Sequence, residues 1–112
     1  VLVNLTPHDV TLIDNGKRIT LKPSGTIARC RALTEIVGSI TDENGEIWPE
    51  TRTVYGAVED LPEPMDGVTY IVSSLVALAM PQRHDLRIPN ESVRDVDGKI
   101  IGCKSLGRVD QC

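Results

Sequence analysis

Three of the four Asx-Gly pairs govern what this chain can become. Asn15-Gly16, Asn44-Gly45 and Asp97-Gly98 each interrupt runs rich in Val, Ile, Thr and Leu. Such pairs reach the positive φ that a tight hairpin demands, and no helix passes through them comfortably. The chain is therefore expected to fold back on itself repeatedly as short strands.

The apolar pattern between the turns agrees. Val10 to Asp14 alternates as a strand, and Lys17 to Leu21 returns across Asn15-Gly16. Thr26 to Ala32 and Thr34 to Ile40 read as two further strands, the second broken or bulged at Gly38. Ile47 to Tyr55 is the return arm after Asp42-Glu43-Asn44-Gly45, with Pro49 suited to an edge or a bulge. Gly56 to Gly67 reads as an acidic, proline-rich loop. Val68 to Val72 is nearly all apolar and is the best central strand. Asp85 to Pro89 reads as a short extended segment, Pro89 to Ser92 as a loop. Val93 to Val96 and Lys99 to Lys104 form a hairpin, and the tail beyond Leu106, ending in Cys112, is expected to fray. Ser74 to Met80 is the one good helix, capped by Ser73 and stopped by Pro81. It is apolar nearly all round and should be buried. Together these features predict a single domain over residues 1–112, α+β and β-rich. Its sheet should be small, antiparallel or mixed or barrel-like, with one short buried helix.

With no Phe, one Trp and two Tyr among 112 residues, the core must be aliphatic, which favours strands. A net charge of −4 gives no basic excess to hold a phosphate backbone, so duplex nucleic acid is not an expected partner. Three cysteines, Cys30, Cys103 and Cys112, form no CxxC pair, which points to a reducing cytosol rather than a disulfide scaffold. No apolar run is long enough for a transmembrane helix, and no signal-peptide pattern opens the chain. The absent initiator Met suggests a few trimmed residues.

Two polar stretches stand apart from this pattern. Asn4-Leu5-Thr6-Pro7-His8 packs an amide, a hydroxyl, a rigid proline and an imidazole between two apolar runs. Downstream come Ser73-Ser74, Arg83-His84-Asp85 and Pro89 to Arg94. The two stretches are expected to meet. His8 could serve as a base, a ligand or a hydrogen-bond donor, with Thr6, Ser73, Ser74 or Cys103 as nucleophile partners. None of these stands in a known nucleophile context. Asn4, Thr6 and His8 could equally satisfy backbone groups in a turn. Ser73-Ser74 opens the helix and could hold an anion there, or simply cap it. Arginine offers bidentate donors to phosphate, which singles out Arg83 and Arg94. His8 and His84 are the only histidines and lie in no ligand spacing, so no metal or cofactor is expected.

Five phrases taken together carry a resemblance. These are Asn-Leu-Thr-Pro-His (residues 4–8), Pro-Ser-Gly-Thr-Ile-Ala-Arg (23–29), Thr-Arg-Thr-Val-Tyr-Gly (51–56) with Leu-Pro-Glu-Pro (61–64), Tyr-Ile-Val-Ser-Ser-Leu-Val-Ala (70–77) and Pro-Asn-Glu-Ser-Val-Arg-Asp (89–95). They span almost the whole chain, which resembles a family of small hypothetical proteins of phages, prophages and actinobacteria. The resemblance implies a context, not a mechanism. By size and context the chain is similar to phage anti-defence sponges of the anti-CBASS and anti-Thoeris types, which bind cyclic nucleotide messengers without cleaving them. The expected function is therefore non-catalytic sequestration of a small anionic ligand, a nucleotide, in the bacterial host cytoplasm. The expected contacts are Asn4, Thr6, His8, Ser73, Ser74, Arg83 and Arg94. A homo-oligomer is expected, because so small a domain has little concave surface. The alternatives are a small hydrolase or lyase with His8 as general base, and a structural or interaction component of a phage.

Overall fold

The computed structural model describes residues 1–110. In chain order the strands are β1 Leu2–Asn4, β2 Val10–Asp14, β3 Lys17–Leu21, β4 Arg29–Thr41, β5 Ile47–Glu59 and β6 Thr69–Ile71. The helix α1 Ser74–Ala79, β7 Leu86–Arg94 and β8 Ile100–Gly107 follow. The sequence expectation for Cys112 falls outside the described residues.

Six strands form one mixed sheet in the order β1-β6-β7-β8-β2-β3. β1, β6 and β7 run parallel, with α1 as the crossover between β6 and β7. β7–β8 and β2–β3 are hairpins, at Asp97-Gly98 and Asn15-Gly16. Both Asn15 and Gly16 take positive φ, as their turn requires. β2 joins β8 in parallel at Leu12 opposite Cys103. Gly102 permits this close approach, since a Cβ there would lie 2.8 Å from Thr11 O. The sheet curls into a half-barrel, bringing its outer strands β1 and β3 toward each other.

β6 explains the continuous apolar run. Tyr70 and Val72 face a cluster with Leu5, Val76, Ala77 and Leu86. Ile71 faces the other way, into a cluster with Val10 and Cys103. A strand covered on both faces needs no polar alternation.

β4 and β5 pair only with each other, as a separate two-stranded ribbon. Its base touches α1, and Cys30 and Val58 pack on the first core cluster. The rest projects into solvent. The Cα radius of gyration is accordingly 17.7 Å, against about 13 Å for a compact chain of this size.

Four expectations need correction. Residues 56–59, expected to open the acidic loop, continue β5, which runs to Glu59 opposite Arg29. The helix is not buried all round: Val76 and Ala77 are, while Leu75 and Leu78 are 42% and 47% exposed. One strand spans most of residues 26–40, because irregularities at Cys30/Ala32 and Ile36/Gly38 absorb the breaks instead of ending the pairing. Residues 89–92 are not a loop. Pairing with β8 carries β7 straight through them, with Glu91 at φ 59°. No helix among the described residues is long and apolar enough to cross a membrane.

Candidate functional site

Asn4 is 2% exposed at the end of β1. Its Nδ2 donates to His8 O at 2.8 Å and to Leu21 O, on the far outer strand β3, at 3.0 Å. Its Oδ1 accepts from Thr6 N at 2.9 Å and lies 2.6 Å from the Thr6 hydroxyl. That hydroxyl is also 3.0 Å from His8 O. The backbone completes the seam: Ser24 N donates to Asn4 O at 2.9 Å and Ala28 N to Leu5 O at 3.1 Å. The Asn4 amide thus spans the gap between the two outer strands through its bond to Leu21 O, while its other bonds, to Thr6 and His8, brace the turn that follows β1. His8 lends its backbone carbonyl to the seam while the residue itself is exposed.

Ser73 caps the helix, its Oγ accepting from Val76 N at 3.3 Å. A helix of six residues has little macrodipole, so this end serves as a cap and not as an anion site. Ser74 is exposed on its first turn. Arg83 is committed elsewhere. It donates from Nε to Asp85 Oδ1 at 2.9 Å, and from Nη2 to Asp85 Oδ2 at 2.8 Å and Pro62 O at 2.9 Å. The hydrogen bonds from Arg83 hold the Asp85 carboxyl below its ordinary pKa, and those to Asp85 raise that of the guanidinium. This fork ties the proline-rich loop to the start of β7. Arg94 donates to Gly98 O at 2.7 Å and braces the β7–β8 turn.

The seven residues do not form one site within a chain. Thr6 and Ser73 do leave neighbouring parallel strands at the same end, where Leu5 N donates to Ile71 O at 2.8 Å. Arg83 lies at the opposite end of those strands. Arg94 is carried away by the uninterrupted β7, about 25 Å along the strand from Leu86. The second stretch opens onto a cavity to which no residue of 4–8 contributes. This cavity of about 360 Å³ opens between Asp9–Thr11, Pro89–Ser92 and Ile100–Cys103. Its carboxylate side chains are Asp9 and Glu91, with Glu91 accepting from Ser105 Oγ at 2.9 Å. Asp9 is paired with Lys22 at 3.2 Å, while Glu91 forms no ion pair among the described residues and no basic side chain lines the wall, which makes poor company for an anion.

A second groove has the opposite character. About 320 Å³ in volume, it is walled by Leu12 and Ile19 of the β2–β3 hairpin and Leu106 of β8. Leu12 and Leu106 are anchored on the Val10–Ile71–Cys103 cluster. Lys17 and Lys104 line it, with Asp14 and Ser105. Neither ammonium forms an ion pair among the described residues. Two cations against one carboxylate make the groove locally positive on a chain of net charge −4.

Sequence reasoning passed over these lysines. The Asn15-Gly16 turn fixes Leu12 opposite Ile19 and Asp14 opposite Lys17, so half of the groove was readable. The approach of β8, which brings Lys104 and Leu106, depends on one parallel contact between strands some ninety residues apart in sequence. Nothing local signals it.

No metal-binding cluster of His, Cys, Asp and Glu occurs among the described residues. Comparison with protein-family models, curated proteins and solved structures returns no match for the chain.

Proposed function

We propose that the protein is a non-catalytic binder that captures and sequesters a small anionic ligand, a nucleotide messenger of the cyclic type, in the Lys17–Lys104 groove. The observation that carries this reading is the meeting of an apolar wall with two ammonium groups that form no ion pair among the described residues. A nucleotide needs both: a surface for the base and cations for the phosphate. The groove's volume, about 320 Å³, is at the lower end of the usual range for ligand sites. The phage resemblance supplies the context in which sequestration has value.

The hydrolase reading has less support, because His8 does not line the groove and Thr6 and Ser73 are engaged in hydrogen bonds that brace the fold. The interaction-component reading draws on the projecting ribbon, whose apolar side chains include Leu33, Ile36 and Ile47 at 69–74% exposure.

Native mass spectrometry with a panel of cyclic di- and trinucleotides and ADP-ribose derivatives tests the proposal. The expected spectrum shows a bound nucleotide that is released with unchanged mass on denaturation. Recovery of a cleaved product, or no adduct across the panel, would contradict it.

A further inference from the structure

Asn15-Gly16 and Asn44-Gly45 carry a reactive combination. A glycine after asparagine leaves its backbone nitrogen free to reach the side-chain amide, because no Cβ stands in the way. Asp66-Gly67 and Asp97-Gly98 share the glycine but have no amide to lose. Local sequence treats the two asparagines alike. Each follows an acid, Asp14 or Glu43, and both are exposed.

The fold treats them differently. At Asn44-Gly45 the loop is tied down: Asp42 Oδ1 accepts from Asn44 N at 2.8 Å and from Glu46 N at 3.0 Å, and Oδ2 from Trp48 Nε1 at 2.8 Å. The attacking nitrogen is itself engaged, since Gly45 N donates to Asp42 O at 3.1 Å. At Asn15-Gly16 the strand ladder closes with Asp14 opposite Lys17 and leaves both turn residues outside it. Gly16 N donates to no acceptor among the described residues.

We infer that Asn15 is a site of spontaneous deamidation, converted well ahead of Asn44 in the folded protein. Gly16 N gives up its proton and attacks Asn15 Cγ. The new N–Cγ bond closes a succinimide ring, the Cγ–Nδ2 bond breaks, and the amide nitrogen takes a proton and leaves as ammonia. Water then adds at either ring carbonyl and yields aspartate or isoaspartate, with no oxidant or reductant involved. Isoaspartate lengthens the main chain of a two-residue turn and so disturbs the β2–β3 pairing, on the strand that Asn4 holds through Leu21 O. Either product sets a carboxylate next to Asp14 and close to Lys17, both of which line the apolar groove. Its two ammonium groups would then be matched by two carboxylates. This effect on capture rests on the groove reading; the modification does not.

Peptide mapping by mass spectrometry tests the inference on the full chain aged at mildly alkaline pH, once folded and once in urea. The urea sample gives the rate of each asparagine without structure. Relative to that rate, Asn15 should convert at least about fivefold faster than Asn44 in the folded protein, the factor that one net hydrogen bond is worth. Asp42→Ala, which removes the side-chain acceptor for Asn44 N, Glu46 N and Trp48 Nε1, should speed conversion at Asn44 and leave Asn15 unchanged. Equal protection of the two asparagines, an Asn15 that stays intact in the folded protein while it converts in urea, or an Asn44 rate unmoved by Asp42→Ala would each overturn the inference. None of these readouts involves a nucleotide, so a failure of nucleotide binding falls on the groove reading alone.

Discussion

Asn4→Ala should lower the unfolding free energy by about 3 kcal/mol, enough to reduce the melting temperature by roughly 10–20 °C. The side chain is 2% exposed and makes contacts that no solvent molecule replaces easily. Truncation deprives Leu21 O of its donor and Thr6 N of its acceptor, and leaves His8 O only the Thr6 hydroxyl at 3.0 Å. Each backbone group left short in a part-buried place costs about 1–3 kcal/mol, offset in part by relaxation and water entry. Asn4→Asp separates shape from hydrogen-bond polarity. It keeps the acceptor for Thr6 but turns two donors into an oxygen facing two carbonyl oxygens. It should be at least as destabilising as Asn4→Ala at neutral pH. Thermal melts of both variants check this. A melting temperature within a few degrees of wild type would show that the seam holds without the amide.

Arg83→Ala should cost about 2–4 kcal/mol. The Arg83 and Asp85 side chains are 12% and 18% exposed, so the pair is shielded well beyond an ordinary surface ion pair. Removing the guanidinium strands the Asp85 carboxylate and frees Pro62 O. The pH dependence follows from the direction of the Asp85 shift. A carboxyl whose pKa is lowered on folding contributes stability that is complete above its unfolded value. That contribution is lost as pH falls through the lowered folded value. The wild type should therefore lose this increment only on the acid side of the ordinary carboxylate range. The difference between wild type and Arg83→Ala should shrink there and stay constant near neutrality. Denaturant titrations at several pH values measure it, and a difference that grows in acid would contradict the assignment.

Much of the fold could be read from local signals. The turn pairs set both hairpins of the sheet and the loop of the ribbon, and the apolar run at residues 68–72 did become the strand covered on both faces. Misreadings arose where pairing overrode local chemistry. Pro89 and Asn90 look like a turn, yet β8 supplies Leu106 and Ser105 as partners and the strand continues. Leu75 and Leu78 look buried, yet the ribbon and sheet cover only one side of α1. The polar stretch at residues 4–8 stood out correctly as unusual. Its hydrogen bonds run to Leu21 and Ser24, partners no local pattern could name, and they make it a closure for the half-barrel. The groove was half visible for the same reason: the hairpin is local, the β8 contact is not.

The most direct test of the binding account compares nucleotide affinity in three proteins by titration calorimetry, using whichever cyclic nucleotide of the panel binds the wild type. The double variant Lys17→Glu/Lys104→Glu should bind at least about tenfold more weakly, and Arg94→Ala should match the wild type. Undiminished binding in the lysine variant, with loss in Arg94→Ala, would contradict the groove and return the site to the β7–β8 turn.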